Sequence, residues 1–156
     1  MTEKKALGRT LTVYREVCSA IRDGRCRRFD PVLDALAAAL THLDNPKQPL
    51  AKCTGAVRTV IKQAEPELYA RIKPQLSILM PVMGYDYDLA KKLAPRLISG
   101  CDELREMLGN GEEERARAYA DALHNLPGFI FGEFPGLSEE RFDQLIFGYY
   151  RRKYES

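Results

Sequence analysis

Asp121 and His124 stand three residues apart, so on a helix they share one face. That is half of the acid–histidine pattern with which helical bundles hold paired iron ions, with Asp in place of Glu. The second half is missing, because His42, the other histidine, has Ala39 three residues before it. A di-iron site is therefore disfavoured. The same pair also reads as a hydrogen-bonded histidine near a helix end, where its cation would meet the C-terminal dipole. The four cysteines, Cys18, Cys26, Cys53 and Cys101, never reach the spacing of a zinc ribbon or a redox motif. Three of them fall on apolar helix faces, where a free thiol acts as a small hydrophobe. Ser19, Ser77, Ser99 and Ser138 sit in no nucleophile elbow, and no glycine-rich phosphate loop occurs. No residue is assigned as catalytic or metal-binding, and no cofactor is expected. An enzyme or metal protein centred on Asp121 and His124 stays as one alternative.

Arginine supplies a different chemistry. Arg22, Arg25, Arg27 and Arg28 form the densest basic cluster, at the end of the first helix and in the turn after it. Arg25, Arg27 and Arg28 are the candidate anion-binding residues. Residues 45–64 add Lys47, Lys52, Arg58 and Lys62 without an acid. Thr54, Arg58 and Lys62 make a polar stripe four residues apart, so nucleic-acid binding through Arg25, Arg27, Arg28, Arg58 and Lys62 is a second alternative. Against it, the loop before this helix is longer than a helix-turn-helix turn. Asp86 and Asp88, and Glu112 to Glu114, read as helix-start chemistry.

The segment from Leu126 to Leu137 is rich in Phe, Gly and Pro, with Phe129, Ile130, Phe131 and Phe134 among its large apolar residues. A loop normally runs through water. This one must plug the bundle or face a partner, and exposed apolar patches of this size are rare on monomers. If exposed, Phe129, Ile130, Phe131 and Phe134 are the partner-binding residues, since aromatics are enriched at interface cores.

These residues need elements to hold them. Leu7, Leu11, Tyr14, Cys18 and Ile21 predict a helix over 6–23, capped at Gly24. Asp30-Pro31 should open a second, with Leu33, Leu36, Leu40 and Leu43 inward. A third is expected over 50–64, with Cys53, Val57, Val60 and Ile61 inward. A fourth should cover about 67–80, using Leu68, Ile72, Leu76 and Leu79 and disturbed at Pro74; Pro81 and Gly84 should close it. The segment 86–108 is apolar on one face but interrupted at Pro95 and Ser99-Gly100, which allows two shorter helices. A sixth helix is expected over 112–126, and a last one from Ser138 with Phe142, Leu145, Ile146 and Tyr149 inward. Strand signals are thin. The fold expected is all-α: a single domain over 1–156, a bundle of six to eight helices, with the Phe/Gly/Pro-rich loop before the last helix.

Composition bounds the rest. The chain has 156 residues, 45% hydrophobic and 29% charged, a balance that supports a packed core rather than disorder. Net charge is +2, but the first hundred residues carry seventeen bases against ten acids and the remainder seven against twelve. That polarity favours charge matching inside the molecule or head-to-tail association. It is not the basic excess of a protein built on phosphate contacts. The longest run without Asp, Glu, Lys or Arg, residues 74–85, is shorter than the roughly 20 residues a membrane span needs. No membrane segment and no leader is read, and the expected compartment is the cytoplasm. The leading functional expectation is a non-enzymatic protein that binds a protein partner or itself.

Overall fold

A computed structural model describes residues 3–42, 50–79 and 86–155. They form eight α-helices and no strand: α1 (Glu3–Arg22), α2 (Phe29–Thr41), α3 (Leu50–Ala64), α4 (Pro66–Leu79), α5 (Tyr87–Gly109), α6 (Glu113–Leu123), α7 (Asn125–Ile130) and α8 (Glu139–Tyr154). The all-α bundle expected from the periodicity is what forms. None of these helices is long and apolar enough to cross a membrane.

α1 is the central post. Its whole expected stripe is buried, and Val13 and Val17 widen it, so α3, α4, α6 and α7 can pack around one helix. Thr10 and Thr12 are buried too, and each hydroxyl donates back to a carbonyl one turn earlier, Ala6 at 2.8 Å and Gly8 at 2.9 Å. α2 packs between α3 and α5 through Val32, Leu33, Leu36 and Leu40. Leu43, Pro81 and Gly84, and the side chains of Cys53, Leu76 and Leu79, lie outside what is described.

Helix ends follow residue chemistry. Gly24 takes φ +70°; its N–H bonds Ile21 O at 3.1 Å, and the Arg25 N–H bonds Ala20 O at 2.8 Å. That is the left-handed glycine closure expected after α1. Asp86 caps α5, accepting from the Leu89 N–H at 3.0 Å, and Ser138 caps α8, accepting from Arg141 at 3.1 Å.

Four expectations need correction. α2 starts at Phe29, one residue before the expected Asp30 cap, and no local side chain caps it. Its entry is held by Glu65 at the α3–α4 junction, whose Oε1 accepts from the backbone N–H groups of Arg27 and Arg28, both at 2.7 Å. α5 is one helix of 23 residues through Pro95 and Gly100. Gly100 is no breaker: a Cβ there would stand 2.6 Å from Leu123 Cδ2 and 2.7 Å from Tyr14 Oη, so its bare backbone is what lets α1, α5 and α6 meet. The expected loop after α6 is half helical. Pro127 sits in the first turn of α7, where its missing N–H costs no helical bond, and Gly132 closes that helix at φ +80°. Finally, α8 is rotated: Phe142, Phe147 and Tyr150 are buried, while Leu145 and Tyr149 are 53% and 62% exposed.

Candidate functional site

The Phe-rich segment is built into the fold. Ile130 is 1% exposed, inside the core. Phe129 stacks on Phe142 of α8 at 4.4 Å between centroids, and Phe134 meets the same ring edge-on at 5.6 Å. Phe131 lies half-buried beneath the Arg15 guanidinium of α1, 5.2 Å from the ring centre. Arg15 also pairs with Glu133 at 2.7 Å. The four residues expected to meet a partner therefore bolt α8 and α1 to the bundle. Ile130 has no surface to offer, and Phe129, Phe131 and Phe134 are partly buried against the core.

What the segment surrenders, α8 exposes. Among the described residues Leu145 and Tyr149 are the large hydrophobic residues classed as exposed. They stand one turn apart, and Arg141 and Arg152 continue the strip one turn before and one turn after. Gly148 borders the strip, and the Arg152 guanidinium folds back over it: a Cβ there would meet Arg152 Nη1 at 3.4 Å. Lys153 Nζ leans towards the Tyr149 ring, 6.0 Å from its centre. Seven of the sixteen α8 residues are apolar or aromatic and they encircle the helix, so periodicity could not phase it. The surplus was the signal: a helix on the surface cannot bury every side.

Beside this strip, α5 is not a main packing partner of α8. Side chains bridge the two instead. Lys92 pairs with Glu139 at 2.9 Å, and one turn on Arg96 and Arg151 both grip Asp143. Burial alone would raise the Asp143 pKa, but the two arginines hold it below the ordinary carboxylate value. Arg96 also covers the Phe147 ring at 4.3 Å.

Asp121 and His124 do come together, but with an arginine between them. Arg22 Nη1 donates to His124 Nε2 at 2.9 Å and lies 3.5 Å from Asp121 Oδ1. A ring nitrogen that accepts from a guanidinium is neutral and is not offered to a metal. Burial, then the Arg22 charge, pushes the His124 pKa down. Arg117 donates to the Arg22 carbonyl at 2.8 Å. Among the described residues no group of three His, Cys, Asp or Glu could hold a metal ion. The three described thiols are packing groups: burial pushes Cys18 well up, and Cys26 and Cys101 up to about 12, so none of these three is a ready thiolate.

The basic cluster divides. Arg25 and Arg27 line a cleft of about 520 Å³ with Arg71 of α4, a residue that no pattern along the chain singles out. Arg28 contributes its backbone N–H to Glu65 and does not line the cleft, nor do Arg58 and Lys62 on α3. Lys62 faces Tyr69 across 5.9 Å, and the Arg58 Nε is buried with no hydrogen-bond partner. The five residues of the nucleic-acid reading thus do not share this concave surface.

Comparison of the chain with known protein families, with curated proteins and with solved structures returns no match.

Proposed function

We propose that this protein works by binding another protein along the outer strip of α8, and that the bound segment is acidic at its ends and apolar at its centre. The observation that carries this reading is the exposure of Leu145 and Tyr149 on consecutive turns with an arginine beyond each. Single exposed hydrophobes are ordinary. Two on consecutive turns, framed by guanidinium groups, form a patterned surface in which Tyr149, Arg141 and Arg152 are of the residue types enriched at interface hot spots. Charge selects the occupant. If two copies met strip to strip in antiparallel fashion, Arg141 would face Arg152 of the other copy. In parallel, each arginine would face its own counterpart. Both arrangements oppose cation to cation, which disfavours self-pairing here and favours carboxylates in the partner. Binding rather than catalysis is also supported by the fate of the described chemical residues: His124 is engaged by Arg22, and Cys18 and Cys101 are buried. The expected compartment is the cytoplasm, in keeping with Cys18, Cys26 and Cys101 as free thiols.

The test is a photocrosslinker, p-benzoylphenylalanine, placed at position 149 and activated in cells. A discrete adduct with a different protein, mapped to an acid-flanked peptide and lost in an Arg141→Glu/Arg152→Glu variant, is expected. No adduct, an adduct of twice the chain's mass, or the same adducts from a crosslinker at Asp88 on α5 would sink the reading.

A further inference from the structure

The surplus cations of the α1–α2 turn have no part in that docking strip, and their geometry is independent of it. We infer that the cleft between this turn and α4 binds an oxyanion, and that its ligand is a small phosphorylated molecule bearing a hydroxyl or amine.

The cleft, about 520 Å³, lies within the usual range of small-molecule sites. Its frame is set without using a single arginine head. Gly24 closes α1 in the left-handed conformation, and Glu65 pins the next turn through the Arg27 and Arg28 amides at 2.7 Å. The guanidinium groups are thus carried on fixed backbone and left over for other work. Arg25 is partly spent, since Asp23 pairs with it at 2.6 Å. Arg27 and Arg71 have no side-chain hydrogen bond or ion pair among the described residues. Two free forks, one from the α1–α2 turn and one from α4, line one concavity and suit the oxygens of a phosphate group, which guanidinium binds in bidentate fashion.

The remaining lining defines the rest of the ligand. Glu67, in the first turn of α4, is a carboxylate that disfavours a bare anion and accepts from a hydroxyl or ammonium group. Ala20 and Leu68, both buried, supply an apolar floor for a short carbon body. Glu65 lines the cleft as well, but its Oε1 is engaged by the Arg27 and Arg28 amides, so a phosphate at one end and a donor at the other match the rest of the lining. A nucleic-acid backbone would need a basic track leading out of the cleft, and Arg58 and Lys62 do not line it.

The probes are phosphoethanolamine and inorganic phosphate, titrated into protein with labelled arginine side chains and followed by NMR at Arg Nε. Saturable one-to-one binding of phosphoethanolamine, with shifts at Arg25, Arg27 and Arg71 and weaker binding of phosphate, is expected. An Arg27→Gln/Arg71→Gln variant should lose at least about tenfold in affinity with helicity unchanged, because bonds to charged groups carry the site. Glu67→Gln should narrow the preference for phosphoethanolamine over phosphate. No shift at about 10 mM probe, where a ligand of about 1 mM Kd is mostly bound, overturns the inference. So does an unsaturable response spread over all arginines. A single-stranded oligonucleotide that outcompetes both probes and depends on Arg58 and Lys62 would replace it with nucleic-acid binding. None of these outcomes touches the α8 crosslink.

Discussion

At the scale of single residues, His124 is a reactive group that the fold has committed. His124 accepts from Arg22, and burial with that cation holds its pKa below the ordinary 6.5. The sign of the consequence follows from proton counting. As pH falls, the unfolded chain takes up the proton first. The contribution of His124 to stability is therefore intact above about 6.5 and is lost as pH drops through that value towards the lower folded pKa. Urea midpoints at about pH 7.5 and 5.5 should fall between the two, and fall less for His124→Gln, whose amide oxygen still accepts from Arg22. Equal falls would show that the ring is not protonation-sensitive in this way. Glycine gives a second contrast. Gly55 lies in α3 with nothing within 4 Å of a Cβ, so Gly55→Ala should stabilise by about 0.5–1 kcal/mol. Gly100→Ala adds the same helix propensity but drives a methyl against Leu123 and Tyr14. The Tyr14 hydroxyl cannot yield freely, since it donates to Leu97 O at 2.7 Å. That variant should lose about 1–3 kcal/mol, as overpacked cores do. Thermal melts of the two distinguish a breaker glycine from a packing glycine.

Elements show where the sequence could be read and where it could not. α3 begins and ends where its stripe predicts, and α1 stops at its glycine, because the signals are local: a 3.6-residue period and a cap. α2 shows the opposite case. The turn that leads into it is held by Glu65, more than thirty residues away, and no local pattern announces a distant carboxylate. Arg71 escapes for the same reason, since α4 must first pack on α1 before its side chain reaches Arg25 and Arg27. α8 failed through excess, because its apolar residues surround it and the phase was chosen by aromatic partners. Phe142 locks into Phe129 and Phe134, and Tyr150 meets Tyr119 at 4.9 Å. Phe142→Ala should therefore cost about 3–5 kcal/mol. Leu145→Ser and Tyr149→Ser should stay within about 0.5 kcal/mol of the parent in the same denaturant series, as exposed positions do. A large loss at Leu145 or Tyr149 would mean that this face is packed.

At the scale of the whole molecule, the opposed charges of the two sequence regions are used internally. Arg15–Glu133, Arg22–Asp121, Lys92–Glu139 and Arg96–Asp143 each join a base from the first hundred residues to an acid from the remainder. The polarity was legible in the sequence; its destination was not, because internal matching and head-to-tail association ask for the same composition. The bundle itself was legible, because one hydrophobic stripe per helix dictates one shared core. The ionic seam between α5 and α8 has a kinetic corollary. A helix clamped on one side by aromatic rings and on the other by partly exposed charges can detach as a unit while the α1 core stays closed. Amide exchange at Phe147 and Tyr150 should then proceed through a subglobal opening of lower free energy than exchange at Leu11 and Tyr14. The gap should widen as salt approaches about 1 M and screening shortens to about 3 Å. Equal protection at every ionic strength would make α8 part of the same cooperative unit as α1. If the gap is seen, the helix proposed to recognise a partner is also the first part of the molecule to let go.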